Sequence, residues 1–226
     1  MIKKILWLLL LILLLGLLGY FFKPRQTLHV VQLPLPRYDS PVSVEKALRL
    51  RQSTRLFEKS SVSIQELSQL LWSAQGIGNR HGYRTSPSAG ALFPIELYVL
   101  VRRGEGVYPG FYHYIPNKHH LEISTNSIDE EKLFMASYKQ SWVKNAPILI
   151  VIASDTNRTA QKYHVKAFQY ASMESGHVAQ NMMLQSVSLG LGIVGVGAFD
   201  EQEIKQIFDI HTLDVMYLIC IGHPSK

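Results

Sequence analysis

Residues 5–22 carry no charged side chain, with only Gly16 and Gly19 breaking a leucine-dominated run, so they do not belong to the same packed unit as the rest of the chain. Eighteen helical residues would span about 27 Å, close to the thickness of a hydrocarbon core. Lys3 and Lys4 precede the run, and Lys23, Pro24 and Arg25 follow it. A cleaved signal peptide is the competing reading. Its apolar core is shorter and ends in small residues, whereas this run ends Tyr20-Phe21-Phe22. The expectation is an uncleaved single-pass anchor over residues 1–23, which puts the protein on a membrane. Positive charge on both flanks leaves open which side holds the rest. Residues 24–42 contain Pro24, Pro34, Pro36 and Pro41 and are expected to form an extended linker.

Residues 43–226 are long enough for one domain that needs neither disulfides nor metals. The lone cysteine, Cys220, has no partner for an intrachain disulfide and sits in an apolar run, as a buried filler would. No Cys/His spacing suits zinc, and no metal site is expected. The net charge of +6 is spread along the chain without a basic arm interleaved with aromatics. That argues against nucleic acid and fits an anionic membrane surface or an anionic cofactor.

Ser43 is expected to start a helix, with Glu45 in its first turn. Ser63 should cap a second helix, with Glu66 completing a capping box and Leu67, Leu70, Leu71 and Ala74 forming its apolar face. Strands are expected over 95–102, 110–115, 119–123, 146–153, 193–199 and 215–221. Helices are expected over 128–138, 163–189 and from Asp200 to Phe208, the long one ended by Gly190 and Gly192. Helices and strands mix without strict alternation, which indicates the α+β class.

Four constellations could carry chemistry. Residues 86–94, SPSAGALFP, place Pro87, Ser88, Ala89, Gly90 and Ala91 in a stretch of small side chains. Such backbone either makes a tight turn before a strand or lets a flat ligand, such as a flavin ring, come close and be read by N–H and C=O groups. Arg51-Gln52-Ser53-Thr54-Arg55 is either a solvated basic helix end or a grip for phosphate oxygens. Gly190-Leu191-Gly192 opens a glycine-rich stretch that follows a helix, so it is not the dinucleotide fingerprint. Further back, Lys162-Tyr163 stands at the start of the expected long helix and Glu174-Ser175-Gly176-His177 lies on it, where Met173, His177 and Gln180 share a face. No Ser–His–Asp set or carboxylate pair stands out.

In order, RQSTRLF (51–57), SPSAGALFPIELYV (86–99), GFYHYIPNKHHLE (110–122), KYHVKAFQYASMESGHVAQNMMLQSVSLGLG (162–192) and IGHP (221–224) resemble the nitroreductase superfamily, in particular its SagB/ThcOx-type branch. The resemblance implies a mixed central sheet flanked by helices, FMN as cofactor, and a homodimer with flavin at the interface. It implies that Arg51 and Ser53, in the run with Gln52, hold the FMN phosphate and that Arg55 reaches the ribityl–pyrimidine side. Pro87, Ser88, Ala89, Gly90 and Ala91 would line the ring, with Gly190, Leu191 and Gly192 approaching from the far side. Lys162 and Tyr163 match the pair implicated in substrate deprotonation by azoline-oxidising members. The implied activity is a membrane-tethered FMN-dependent oxidoreductase passing hydride through flavin N5. It would act as an azoline-type dehydrogenase on a peptide, or as an NAD(P)H-driven reductase of a small molecule. The alternative is a membrane-attached interaction module with weak or no flavin chemistry. Three departures stand out: His164 where glycine is usual after Lys-Tyr, Lys226 as the only basic residue after the IGHP turn, and the expected membrane anchor, which is not typical of the peptide-modifying members.

Overall fold

The computed structural model describes residues 30–225, apart from 79, 80 and 126. The anchor expected over 1–23 therefore lies outside the described residues, as does Lys226. No helix among the described residues is long and apolar enough to cross a membrane.

Seven strands make one sheet: β1 (Val30–Gln32), β3 (Ile95–Val101), β5 (Gly110–Ile115), β6 (His120–Thr125), β7 (Ile148–Ser154), β8 (Gly192–Val196) and β9 (Asp214–Gly222). Their order is β1-β6-β5-β3-β7-β9-β8. Every neighbouring pair of these strands is antiparallel, and the sheet is mixed only where Ser53 adds to β8. Parallel pairing occurs in the small ladder of β2 (Val62–Ser63) with β4 (Gly104–Glu105) and in the isolated bridge between Ser53 and Ile193.

All seven residues of β7 are buried, so the sheet is covered on both faces there. Side chains alternate across a strand, and the alternation divides the core in two. Ile148, Ile150 and Ile152 meet Val99 and Val101 of β3 and Ile219 and Ile221 of β9 on one face. Helices α2 (Ile64–Gln75) and α6 (Ala167–Leu189) cover this face through Leu67, Leu70, Leu71, Val178 and Met182. On the other face, Leu149 and Val151 meet Leu100, Leu218 and Cys220. There α3 (Glu130–Ala136), α4 (Ser141–Asn145) and α7 (Glu201–Phe208) close the layer with Leu133, Val143, Ile204 and Phe208. The buried Cys220 is the filler expected, its thiol pushed up to about 12 by burial.

Local signals act as expected where they are strong. Ser63 caps α2 with the full reciprocal box to Glu66, and Ser43 caps α1 (Val44–Leu50). Gly190 ends α6 in the left-handed region at φ 69°, its N–H and that of Leu191 reaching back to Ser186 and Val187 carbonyls. Two expectations are corrected. From Val30 onward the proline-rich stretch is part of the fold: β1 pairs with β6, and Leu33 is buried. The Pro34 carbonyl accepts from Ser68 Oγ at 2.6 Å, and Arg37 N–H donates to Gln69 Oε1 at 2.8 Å. Extended prolines preclude a helix but do not prevent docking. The helix expected over 163–189 is two helices. Lys162 and Tyr163 end α5 (Thr156–Tyr163), and His164 breaks the chain at φ 46°, ψ −122° before α6 begins.

Ile150→Ala removes a fully buried side chain from the middle of the sheet. We expect it to cost about 2–5 kcal/mol in urea unfolding. His164 occupies a conformation that glycine adopts without strain. His164→Gly should raise stability by about 1 kcal/mol, measured the same way, and His164→Val should lower it.

Candidate functional site

The 86–94 stretch is held from three sides. Ser86 is buried, donates from Oγ to the Ala74 carbonyl of α2 at 2.7 Å, and accepts from Asn181 Nδ2 of α6 at 2.9 Å. Ser88 Oγ accepts from Phe93 N–H at 2.8 Å, closing the turn across its mouth. Arg158 of α5 donates to the Phe93 carbonyl at 2.6 Å and to Glu96 Oε1 at 2.7 Å. These ties hold Gly90 at φ 60°, Ala91 at φ 54° and Phe93 at φ 48°. Two of those three are not glycine, so the turn stores backbone strain that the surrounding bonds must offset.

The turn meets the end of α5 at Gly90. A Cβ placed there would lie 2.9 Å from Tyr163 Oη and 3.0 Å from Lys162 Nζ. Lys162 Nζ stands 5.5 Å from the Tyr163 ring centroid, and Tyr170 packs edge-on against that ring at 4.9 Å. Beside the turn lies a cavity of about 250 Å3. Pro87, Ser88, Ala89, Tyr170, Met173 and His177 line it, with Glu174 at its wall. Met173 and His177 face outward, as their spacing on α6 suggests.

Glu174 is 3% exposed; the Ser88 and Gln75 side chains adjoin its carboxylate, but neither oxygen makes a well-aligned hydrogen bond. Burial raises its proton affinity. Nearby Ser88, Gln75, Arg84 and Arg158 oppose that only in part. Gln75, fully buried, accepts from Arg84 Nη1 at 2.7 Å and leaves its Nε2 unpartnered. Burial lowers the pKa of Arg84, whose guanidinium lies over the Phe93 ring at 4.6 Å. Burial pushes the Glu96 carboxyl up, but His113 and Arg158 outweigh it and hold the group below the usual carboxylate range. This polar floor under the turn is absent from the sequence expectations. The signal for it is Glu174 in phase with Ala171 and Val178, at a core position of an amphipathic helix.

The second cluster gathers Arg51, Gln52, Ser53, Thr54 and Arg55. Arg51 caps the C-terminus of α1. Ser53 bridges Ile193, and Thr54 N–H donates to the Ile193 carbonyl at 2.9 Å. Gly192 is required at this crossing, because a Cβ there would sit 2.6 Å from Thr54 Cγ2. Arg55 lies 5.3 Å over the Trp142 ring of α4. The closing turn runs alongside, with Glu58 N–H donating to the His223 carbonyl at 2.9 Å and Ser225 N–H to that of Leu56 at 3.0 Å. Among the described residues, neither Arg51 nor Arg55 enters an ion pair.

The structure thus joins Pro87, Ser88, Ala89, Gly90 and Ala91 to Lys162 and Tyr163. It joins Ser53 and Thr54 to Gly192 and Ile193, and brings neither Gly190 nor Leu191 into contact with them. Helix α6 serves as a ruler between the clusters. The cavity wall at 174–177 and the helix end at 190 are 13–16 residues apart in the sequence, so about 20 Å along the axis. Within one protomer the two groups occupy different positions along that helix. Among the described residues no cluster of His, Cys, Asp or Glu is arranged to hold a metal.

The sequence matches the Nitroreductase family over residues 48–223. A protein of Methanocaldococcus jannaschii named as a nitroreductase is 41% identical over 191 residues, covering 83% of this chain and 94% of its own length. The fold superposes on a nitroreductase-named structure from Anabaena variabilis with a TM-score of 0.77 at 24% identity. That match covers 88% of this chain but only 42% of the Anabaena chain. It also superposes on a chain of the Escherichia coli microcin synthetase McbBCD complex with truncated pro-MccB17 bound, with a TM-score of 0.67 at 20% identity, covering 92% and 81%. The chain belongs to the nitroreductase family.

Proposed function

We propose that this protein is an FMN-dependent oxidoreductase, tethered to a membrane through residues 1–23 and active as a homodimer. The observation that carries the reading is the junction at Gly90, where a strained run of small residues meets an amine and a phenol. FMN is the cofactor the family implies, and the residues present suit it. Arg51 and Arg55 lack carboxylate partners and, with Ser53, offer paired and neutral donors to a phosphate. The 87–91 backbone offers close approach to a flat ring. When bound, the flavin supplies hydride transfer at N5, and the protein supplies position and charge.

Two clusters about 20 Å apart along one helix do not close around one ring, which favours a second copy supplying the missing half. Val44 and Leu48, one turn apart on α1, are 65% and 55% exposed, an apolar face suited to cover by that copy. Lys162 and Tyr163 suit a general base beside the ring, as oxidation of an azoline requires. The microcin synthetase relative, a complex holding truncated pro-MccB17, adds weight to a peptide substrate of the SagB/ThcOx type. NAD(P)H-driven reduction of a small acceptor is the other version.

Purified protein should be yellow and bind FMN. Arg51→Ala or Arg55→Ala should weaken FMN binding about 10- to 100-fold, measured by fluorescence titration. A folded dimer that takes up no FMN would instead identify a membrane-attached interaction module. Lys162→Ala and Tyr163→Phe should abolish azoline oxidation while the flavin absorbance is kept. Unchanged turnover with NAD(P)H as donor would assign the reductase version.

A further inference from the structure

Glu174 has no role in the reading above, yet burying a carboxyl that makes no well-aligned hydrogen bond is costly. It stands on α6 at the wall of the 250 Å3 cavity, which Ser88 also lines, and the Ser88 side chain adjoins its carboxyl. Ser88 Oγ already accepts from Phe93 N–H. A hydroxyl has one hydrogen to donate and two lone pairs. One lone pair is therefore committed, and the direction of the hydrogen is the remaining freedom.

We propose that Glu174 is a positioning residue that decides, through Ser88, whether the Ser88 hydroxyl hydrogen points into the protein or into the cavity. An ionised Glu174 only accepts, so it draws the Ser88 hydrogen inward. A protonated Glu174 donates its own hydrogen to the second Ser88 lone pair and leaves the Ser88 hydrogen free to face the cavity. The cavity then presents a hydrogen-bond donor suited to a carbonyl or ring-nitrogen acceptor, which a flavin carries along its pyrimidine edge. The charged and titratable groups around Glu174 are Arg84 from the loop before the turn, Arg158 from α5 with Glu96 of β3 bound to it, and Tyr170 and His177 on its own helix, with the Lys162–Tyr163 pair farther off against Gly90. Burial keeps the carboxyl protonated to higher pH than usual, so the donor is offered at the acid end of the range and withdrawn as pH rises. Only the identity of the cavity's occupant rests on the flavin reading.

The test uses the full-length protein, with FMN as the probe. Wild-type affinity for FMN should fall about three- to tenfold as pH rises through the Glu174 ionisation, the loss of one hydrogen bond. Glu174→Gln always carries a donor towards Ser88, so its affinity should stay at the low-pH value throughout. Ser88→Ala should be weak and flat. The same pH slope in wild type and Glu174→Gln would overturn the proposal, as would an unchanged slope in Ser88→Ala. Unfolding in urea gives a second readout that needs no flavin. A folded-state pKa raised above the unfolded value means the native state binds the extra proton between the two values, so stability falls as pH rises through that window. Glu174→Gln should therefore gain stability relative to wild type with rising pH and match it below the window. If no variant binds FMN while this difference is present, the flavin reading fails and the Glu174 assignment stands. If FMN binds and the difference is absent, the reverse holds.

Discussion

Strand β7 is buried on both faces over its whole length, and the rest of the molecule follows from that. A strand with Ile148, Ile150 and Ile152 on one side and Leu149, Val151 and Ala153 on the other needs cover above and below. The cover on the first face is α2 and α6, and these two helices fix both functional clusters. The Ala74 carbonyl of α2 and Asn181 of α6 hold Ser86. The end of α6 delivers Gly192 and Ile193 to the arginine segment. The site is thus held against these two helices, while the turn between Ser86 and Pro94 and the arginine segment themselves lie outside regular structure.

That turn is where local preference and tertiary demand disagree. Alanine and phenylalanine do not favour positive φ, yet Ala91 and Phe93 adopt it because Ser88, Arg158 and Asp155 bind the backbone on either side. The same conflict recurs at His164, whose glycine-like conformation opens the three-residue turn between α5 and α6. Both strained points flank the Lys162–Tyr163 pair. Natural chains tolerate such points mainly where geometry is being held for a purpose.

The elements with strong local chemistry were legible from the residues. Ser63 and Glu66 announce α2, Gly190 announces the end of α6, and the apolar run at 146–153 announces the central strand. The break at His164 was not legible, because a histidine carries no signal for the left-handed region; the structure puts there the conformation that the usual glycine would supply. The docking of Val30–Gln32 was not legible either, since prolines at 34, 36 and 41 describe a local conformation and say nothing of long-range pairing. At the site, small residues and arginines declared themselves by type. The polar floor of Gln75, Arg84, Glu96, Arg158 and Glu174 did not, because its members are far apart in sequence and meet only once the sheet and α6 are in place.

The pairing of β1 with β6 sets the length of any leash. With an anchor proposed over residues 1–23, only residues 24–29 remain between it and the first hydrogen-bonded strand. Six extended residues reach about 20 Å. A catalytic body held that close has little room to tumble. Its encounters would be confined to molecules that travel within a thin shell of the bilayer, and lateral diffusion in two dimensions would govern how it finds them.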